Sequence, residues 1–289
     1  MRLWIKLFCI LTFLAIVCSC SKDSSYNVSE EVDIVLSASF LDSCTVRSGN
    51  NSAEGGVANA DWTKYDLRYI IEIYDADEGY TGELVHPRLI KTYDRNDTFM
   101  GTIRLAVGRN YQFVVWTDMV EQGKSADLHY NTASFRNIGL NDYALNDESR
   151  DAYCVNAILP IEAHTSDVKL VLRRPFAKLR IMAAEGHDYA SATLAYTTPI
   201  PAGYDLMDDE LTDAIYDFSL ADMTVSEWPS YTNEDSGART LVTDYIFTTE
   251  NSDVNFTLTL YDSNNEVSRE VTLADVPLFA NTLTSIVGI

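Results

Sequence analysis

Apolar and polar residues alternate along much of this chain. Val32, Ile34, Leu36, Ala38 and Phe40 fall on one side of a period-two pattern, with Asp33, Ser37 and Ser39 on the other, which predicts a half-buried strand. Residues 42–60 are polar, contain glycine and interrupt the pattern. Residues 66–75 predict the next strand, with Leu67, Tyr69, Ile71 and Ile73 on one face. Residues 89–94, 98–105 and 111–117 continue the series, with turns over 75–82 and 107–110. Residues 118–153 are rich in Asn, Asp and Tyr and weakly periodic. They predict an ordered, irregular excursion with one short helix, the kind of segment where binding residues concentrate.

Strand character resumes over 168–172 and 176–183, around Arg173-Arg174-Pro175, where the proline marks an edge or a crossing point. The domain boundary is placed there. Beyond it, 192–196, 223–228, 240–248 and 254–261 read as strands, 262–265 as a hairpin turn into 267–273, and 206–218 as a helical candidate. The whole predicts an all-β protein of two tandem β-sandwich domains, 31–173 and 174–289, each large enough to bury a core.

The first residues differ in kind. Arg2 and Lys6 precede an apolar run from Leu7 to Val17, too short for the roughly 20 residues of a spanning helix. It reads as a signal peptide, 1–19, ending Val17-Cys18-Ser19-Cys20. The branched residue at minus three and small residue at minus one make Cys20 the acylated residue of a bacterial lipobox, followed by a polar tether, 20–30. Cys18, preceded by Ile16 and Val17, lacks that context. The expectation is a globular protein held at a membrane by acyl chains alone.

The chain carries 21 basic and 43 acidic residues, a net charge of −22, and cleavage before Cys20 removes two bases and no acid, taking it to −24. That balance excludes nucleic acid as an expected partner, since such binding runs on Lys and Arg neutralising phosphates. Only Cys44 and Cys154 of the five cysteines remain in the folded part, and they are either one disulfide or two separate thiols. The four histidines, His86, His129, His164 and His187, show no metal-ligand spacing, so no metal site and no cofactor are expected.

No G-x-S-x-G, H-E-x-x-H, phosphate loop or dinucleotide fingerprint occurs, and no nucleophile–base pair can be assembled from spacing alone, so catalytic residues are none and a non-enzyme is expected. Asp208-Asp209-Glu210 and Asp147-Glu148 read as solvated faces, although paired carboxylates also serve glycosidases. Asp75 to Gly79 imitates the start of a calcium loop, but Gly79 and Tyr80 stand in the wrong places, and a hairpin tip is the reading. Trp116, Tyr130 and Tyr143 are strand or excursion aromatics that belong either to a core or to an exposed platform for a sugar or a protein.

Several segments together resemble fimbrillin-like lipoproteins of Bacteroidales: the lipobox with Ser21-Lys22-Asp23, the strand 67–74, Phe113-Val114-Val115-Trp116-Thr117-Asp118, residues 127–132, Arg174-Pro175-Phe176-Ala177-Lys178-Leu179-Arg180, and Val276-Pro277-Leu278 with Asn281, Thr284, Ile286 and Gly288. The resemblance spans the mature chain and is nearest to a branch of unassigned function related to the anchor and tip subunits of type V pili. It implies transthyretin-like sandwiches, lipid-anchored display at the outer membrane and cell surface, and a part in fimbria assembly, anchoring or adhesion. Its implied partners are other fimbrial subunits, joined by strand complementation, and a host protein or glycan. Arg47 matches the loop where an arginine-specific protease cuts stalk subunits of that family to release the first strand. No spare donor tail is evident after the closing strand, which favours an anchor or tip over a stalk. The alternative reading is a free-standing glycan-binding surface lipoprotein beside a nutrient importer, and a surface hydrolase is the weakest.

Overall fold

The computed structural model describes residues 30–40, 45–47, 61–77, 82–95, 97–186, 188–220, 223–229, 238–249 and 252–289. Cys20, Cys44 and the tip of the 75–82 turn lie outside them. The strands run in chain order as β1 (Glu31–Phe40), β2 (Thr45–Arg47), β3 (Tyr65–Asp75), β4 (Leu84–Tyr93), β5 (Phe99–Ala106), β6 (Arg109–Glu121), β7 (Tyr130–Asn131), β8 (Ile138–Leu140), β9 (Tyr153–Ile161) and β10 (Asp167–Leu172). They continue as β11 (Phe176–Met182), β12 (Ser191–Tyr196), β13 (Gly203–Asp205), β14 (Glu210–Leu211), β15 (Thr224–Val225), β16 (Thr240–Phe247), β17 (Ser252–Tyr261), β18 (Val267–Leu278) and β19 (Thr282–Val287). Two short 3₁₀ turns, Glu148–Arg150 and Phe218–Leu220, complete the described elements. The fold is all-β.

Among the described residues, five sheets build it. The order β10-β1-β5 faces β4-β3-β6-β9, and the alternating apolar sides of these strands close one core around Ile34, Leu36, Tyr69, Ile71, Phe113 and Val115. The order β16-β11-β19-β2 faces β15-β12-β17-β18 around a second core that includes Leu179, Ile181, Leu194, Val242, Phe256 and Leu258. Pro175 stands where the chain leaves β10 of one sheet for β11 of another, the crossing its position predicts. Pro277, by contrast, belongs to the edge strand β18, so the predicted closing segment is split between β18 and β19.

The fifth sheet, β14-β13-β8-β7, joins the excursion to the second half of the chain and covers the outer face of β3 and β6. A third apolar cluster forms there. Ile70, Val114, Trp116 and Cys154 meet Tyr130, Phe135, Ile138, Tyr204 and Leu206, together with Phe176, Tyr245 and Phe247 from beyond the crossing. Residues 31–289 thereby make one contact-connected unit.

The excursion also protects an edge. β16 is buried along its whole length although only β11 pairs with it. Asn146, in the left-handed region at φ 59°, takes the place of a strand: its N–H donates to the Thr243 carbonyl (2.9 Å), its Oδ1 accepts the Thr243 N–H (2.6 Å), and its Nδ2 donates to the Leu241 carbonyl (3.0 Å).

One expected element is corrected. Residues 206–218 are not a helix: Asp205 Oδ1 accepts the N–H groups of Met207 (2.8 Å) and Asp208 (3.2 Å), Asp209 sits at φ 60°, and the chain folds back as β14 onto β13. Local acceptor side chains offer the backbone an alternative to helical hydrogen bonds.

Candidate functional site

The strand with the most distinctive setting is β1. It lies at the centre of its sheet, antiparallel to β5 over eight residue pairs from Glu31–Ala106 to Ala38–Phe99 and parallel to β10 over six from Val35–Asp167 to Phe40–Leu172. Ile34, Leu36 and Ala38 are wholly buried, and Phe40 packs edge-on against Tyr153 with ring centroids 4.6 Å apart. Period-two alternation turns Val35 to the outer face, where it is exposed. The first strand of the described chain therefore fills a slot that its own sheet could not close without it.

Arg47 closes β2, which pairs parallel with β19 in the register Thr45–Thr282, Val46–Leu283 and Arg47–Thr284. A cut after Arg47 would separate both β1 and the β19-paired segment from the rest of the chain.

The candidate ligand aromatics turn out to be structural. Trp116 and Tyr130 are fully buried and Tyr143 is 8% exposed, so they form no surface platform. Trp116 and Tyr130 meet edge-on at 5.3 Å, and Tyr130 stacks on Phe176 at 5.7 Å. The sheet over β3 and β6 buries Trp116 and Tyr130, and Tyr143 packs into the second sandwich core against Tyr216 and Phe218.

Of the carboxylate pairs, Asp208, Asp209 and Glu210 are exposed, as the solvated-face reading expects, whereas Asp147 and Glu148 are half-buried. Asp147 caps the Glu148–Arg150 turn, accepting the Ser149 N–H (3.0 Å). Glu148 takes Lys178 Nζ (2.8 Å) and the Tyr245 hydroxyl (2.6 Å). Asp208 pairs with Arg136 (2.9 Å), and Asp209 with Arg173 and the Tyr204 hydroxyl. Asp75 and Asp77 both hold Arg109, and among the described residues no three His, Cys, Asp or Glu side chains cluster as metal ligands.

One constellation escapes sequence reading altogether. His129 Nε2 lies 2.7 Å from Ser149 Oγ and His129 Nδ1 lies 3.4 Å from Asp142, the ingredients of a nucleophile–base–acid triad. The hydrogen bonds run the wrong way for that use. The Ser149 hydroxyl donates to Asp147 Oδ1 at 2.5 Å, so the histidine must donate to the serine and has no lone pair there to receive a proton. Ser149 is also 3% exposed, and the cluster clasps the 3₁₀ turn to β7.

Cys154 is a free thiol, fully buried in the third apolar cluster. Burial pushes its pKa up to about 12, so it is expected to resist alkylation in the native protein at pH 8 and to react on unfolding. Peptide-level mass spectrometry after iodoacetamide checks this, and native labelling of Cys154 as fast as that of an exposed thiol would contradict it.

Across residues 27–289 the sequence matches the model of a family of unknown function, DUF6562, and the chain belongs to that family. No curated protein matches it. Among solved structures, it is similar to a fimbrial assembly protein from Parabacteroides distasonis at 12% identity and a TM-score of 0.43, over 90% of this chain and 92% of that one. It is likewise similar to the tip fimbrial protein Mfa3 from Porphyromonas gingivalis, at 14% identity and a TM-score of 0.42, over 84% and 82%.

Proposed function

We propose that this chain is a lipid-anchored outer-membrane surface protein that works in fimbria assembly, anchoring or adhesion, with β1 as its exchangeable strand, and that it is not an enzyme. The observation that carries the reading is the central place of β1 between β5 and β10. Withdrawing it leaves two unpaired strand edges facing one another over an apolar floor, a slot shaped for an incoming strand. Cys20 supplies the acyl anchor and Arg47 the processing point in this account. The fimbrial names of the similar structures agree with it, and the reversed polarity of the Ser149–His129 contact gives no support to a hydrolase.

The state of the N-terminus in cells tests the proposal. A Cys20→Ala protein is expected to lose fatty-acid labelling and leave the membrane fraction. The wild-type protein is expected to start either at lipidated Cys20 with Arg47 intact, as an anchor would, or at Ser48, as a polymerised tip would. An uncut protein that neither co-purifies with fimbriae nor changes adhesion when deleted sinks the fimbrial reading.

A further inference from the structure

We propose that a cavity on the outer face of β3 and β6, beside the 133–136 turn, binds one neutral pyranose unit of a carbohydrate. The cavity encloses about 310 Å³, at the lower end of the range for small-ligand sites. Glu72 and Tyr74 of β3 and Gln112 of β6 form its floor, Phe135 and Met207 line its sides, and Arg136 stands at its mouth. It lies outside the β1 slot and shares no residue with it, so it does not depend on strand exchange.

Its chemistry follows from the register of β3. Alternation turns Arg68, Ile70, Glu72 and Tyr74 away from the sandwich core. The aromatic cluster covers Ile70, and Glu72 and Tyr74 lie where that cover ends. A carboxylate only 6% exposed needs fixed partners. Glu72 has them: it accepts the Tyr74 hydroxyl and lies 3.4 Å from Arg88 Nε, while Arg88 is itself held by the Thr132 and Ala133 carbonyls. Burial, and then the adjacent Glu72, raise the Tyr74 pKa above its ordinary value, so the phenol remains the donor in that contact. At the mouth, Arg136 is matched by Asp208 at 2.9 Å and Asp205 at 3.7 Å.

Both charged residues that line the cavity, Glu72 and Arg136, thus have opposite charges beside them. What is left for a ligand is a fixed acceptor on the floor, a donor fork at the mouth and apolar side walls, with the lining charges Glu72 and Arg136 each already facing an opposite charge. A pyranose fits that description, carrying hydroxyls on its rim and C–H groups on its faces. An anion, a metal or an acyl chain does not.

Saturation-transfer NMR on the mature chain tests the site against methyl pyranosides of the gluco, galacto, manno, fuco and N-acetylglucosamine series and their reducing counterparts. At least one sugar is expected to show transfer. Ser134→Trp, at an exposed position in the lining, should abolish it by filling the space, and Arg136→Ala should weaken binding about tenfold, as loss of one charge-assisted hydrogen bond does. Both positions are exposed, and retention of the wild-type circular dichroism shows that the variants fold. Binding of methyl glycosides alone marks the end of a glycan chain as the ligand, and binding of reducing sugars alone marks a free monosaccharide. Absence of transfer from every sugar, or transfer that survives both substitutions, overturns the site.

Discussion

Asp244→Ala is expected to cost the folded protein about 3–5 kcal/mol, the penalty for leaving a buried charge without its partner and a large part of the 5–15 kcal/mol of a typical domain. Asp244 has no solvent exposure. Its Oδ1 accepts Arg150 Nη1 (2.9 Å) and the Tyr245 N–H (2.7 Å), and its Oδ2 accepts the hydroxyls of Tyr196 (2.6 Å) and Tyr143. Arg150 is equally buried, donates onward to the carbonyls of Ala144 (2.7 Å) and Tyr245 (2.9 Å), and lies 4.3 Å over the Tyr143 ring. Burial works against its charge, and Asp244 together with Tyr143 and Tyr130 outweighs that and raises its pKa. Removing Asp244 strands the guanidinium and two phenols together.

The same seam holds further pairs across the crossing at Pro175. Arg174 grips Asp151 with two contacts of 2.7 Å, and Lys178 holds Glu148. The expected boundary between Arg173 and Arg174 is therefore spanned by ion pairs as well as by the third apolar cluster. Urea unfolding followed by tryptophan fluorescence and by far-ultraviolet circular dichroism should show one coincident transition, displaced to lower urea in Asp244→Ala. The double variant Arg150→Met, Asp244→Leu should be less destabilised than either single change, because no charge is left alone. A loss below about 1 kcal/mol in Asp244→Ala would show that the seam contributes little.

What was legible in the sequence and what was not divides along physical lines. β1, β3, β12 and β17 announce themselves because each buries its alternating face in a sandwich core. β9 does not, since Asn156 and Pro160 disturb its pattern. Asn156 instead spends its amide on the carbonyls of Leu206 (3.1 Å) and Met207 (2.6 Å). The start of β4 hides for the opposite reason: it is an edge strand with both faces largely exposed, and Leu84, Val85 and Pro87 follow no alternation. The excursion was readable as ordered but not as a lid. A polar composition suits a segment whose Asp, Arg and Tyr side chains are consumed in buried pairs, and such pairing is set by partners up to 101 positions away, as between Tyr143 and Asp244. Likewise no local signal joins His129 to Ser149, or lines Glu72 up with Arg136 across a cavity. Tertiary placement alone creates both.

Deleting β1 should have the other large effect. A chain beginning at Ser48 is expected to be unable to hold the β10-β1-β5 sheet, and to aggregate or melt far below the full-length protein. Burial of Ile34 and Leu36 contributes about 1.5–3 kcal/mol each, to which Ala38 and the half-buried Val32 and Phe40 add, so the loss approaches the net stability of an ordinary domain. It also exposes β5 and β10 edges that will pair with whatever strand is near. A peptide of residues 31–40 added in trans should restore the melting temperature in a saturable way, by linkage to its own binding. A peptide of the same composition with the alternation shifted by one position should not, because the shift turns every apolar side chain to solvent. This control separates a true strand slot from general hydrophobic rescue. A Ser48-start chain as stable as the intact protein would remove β1 from the functional account. Rescue by both peptides alike would mean that the slot has no register to offer a partner strand.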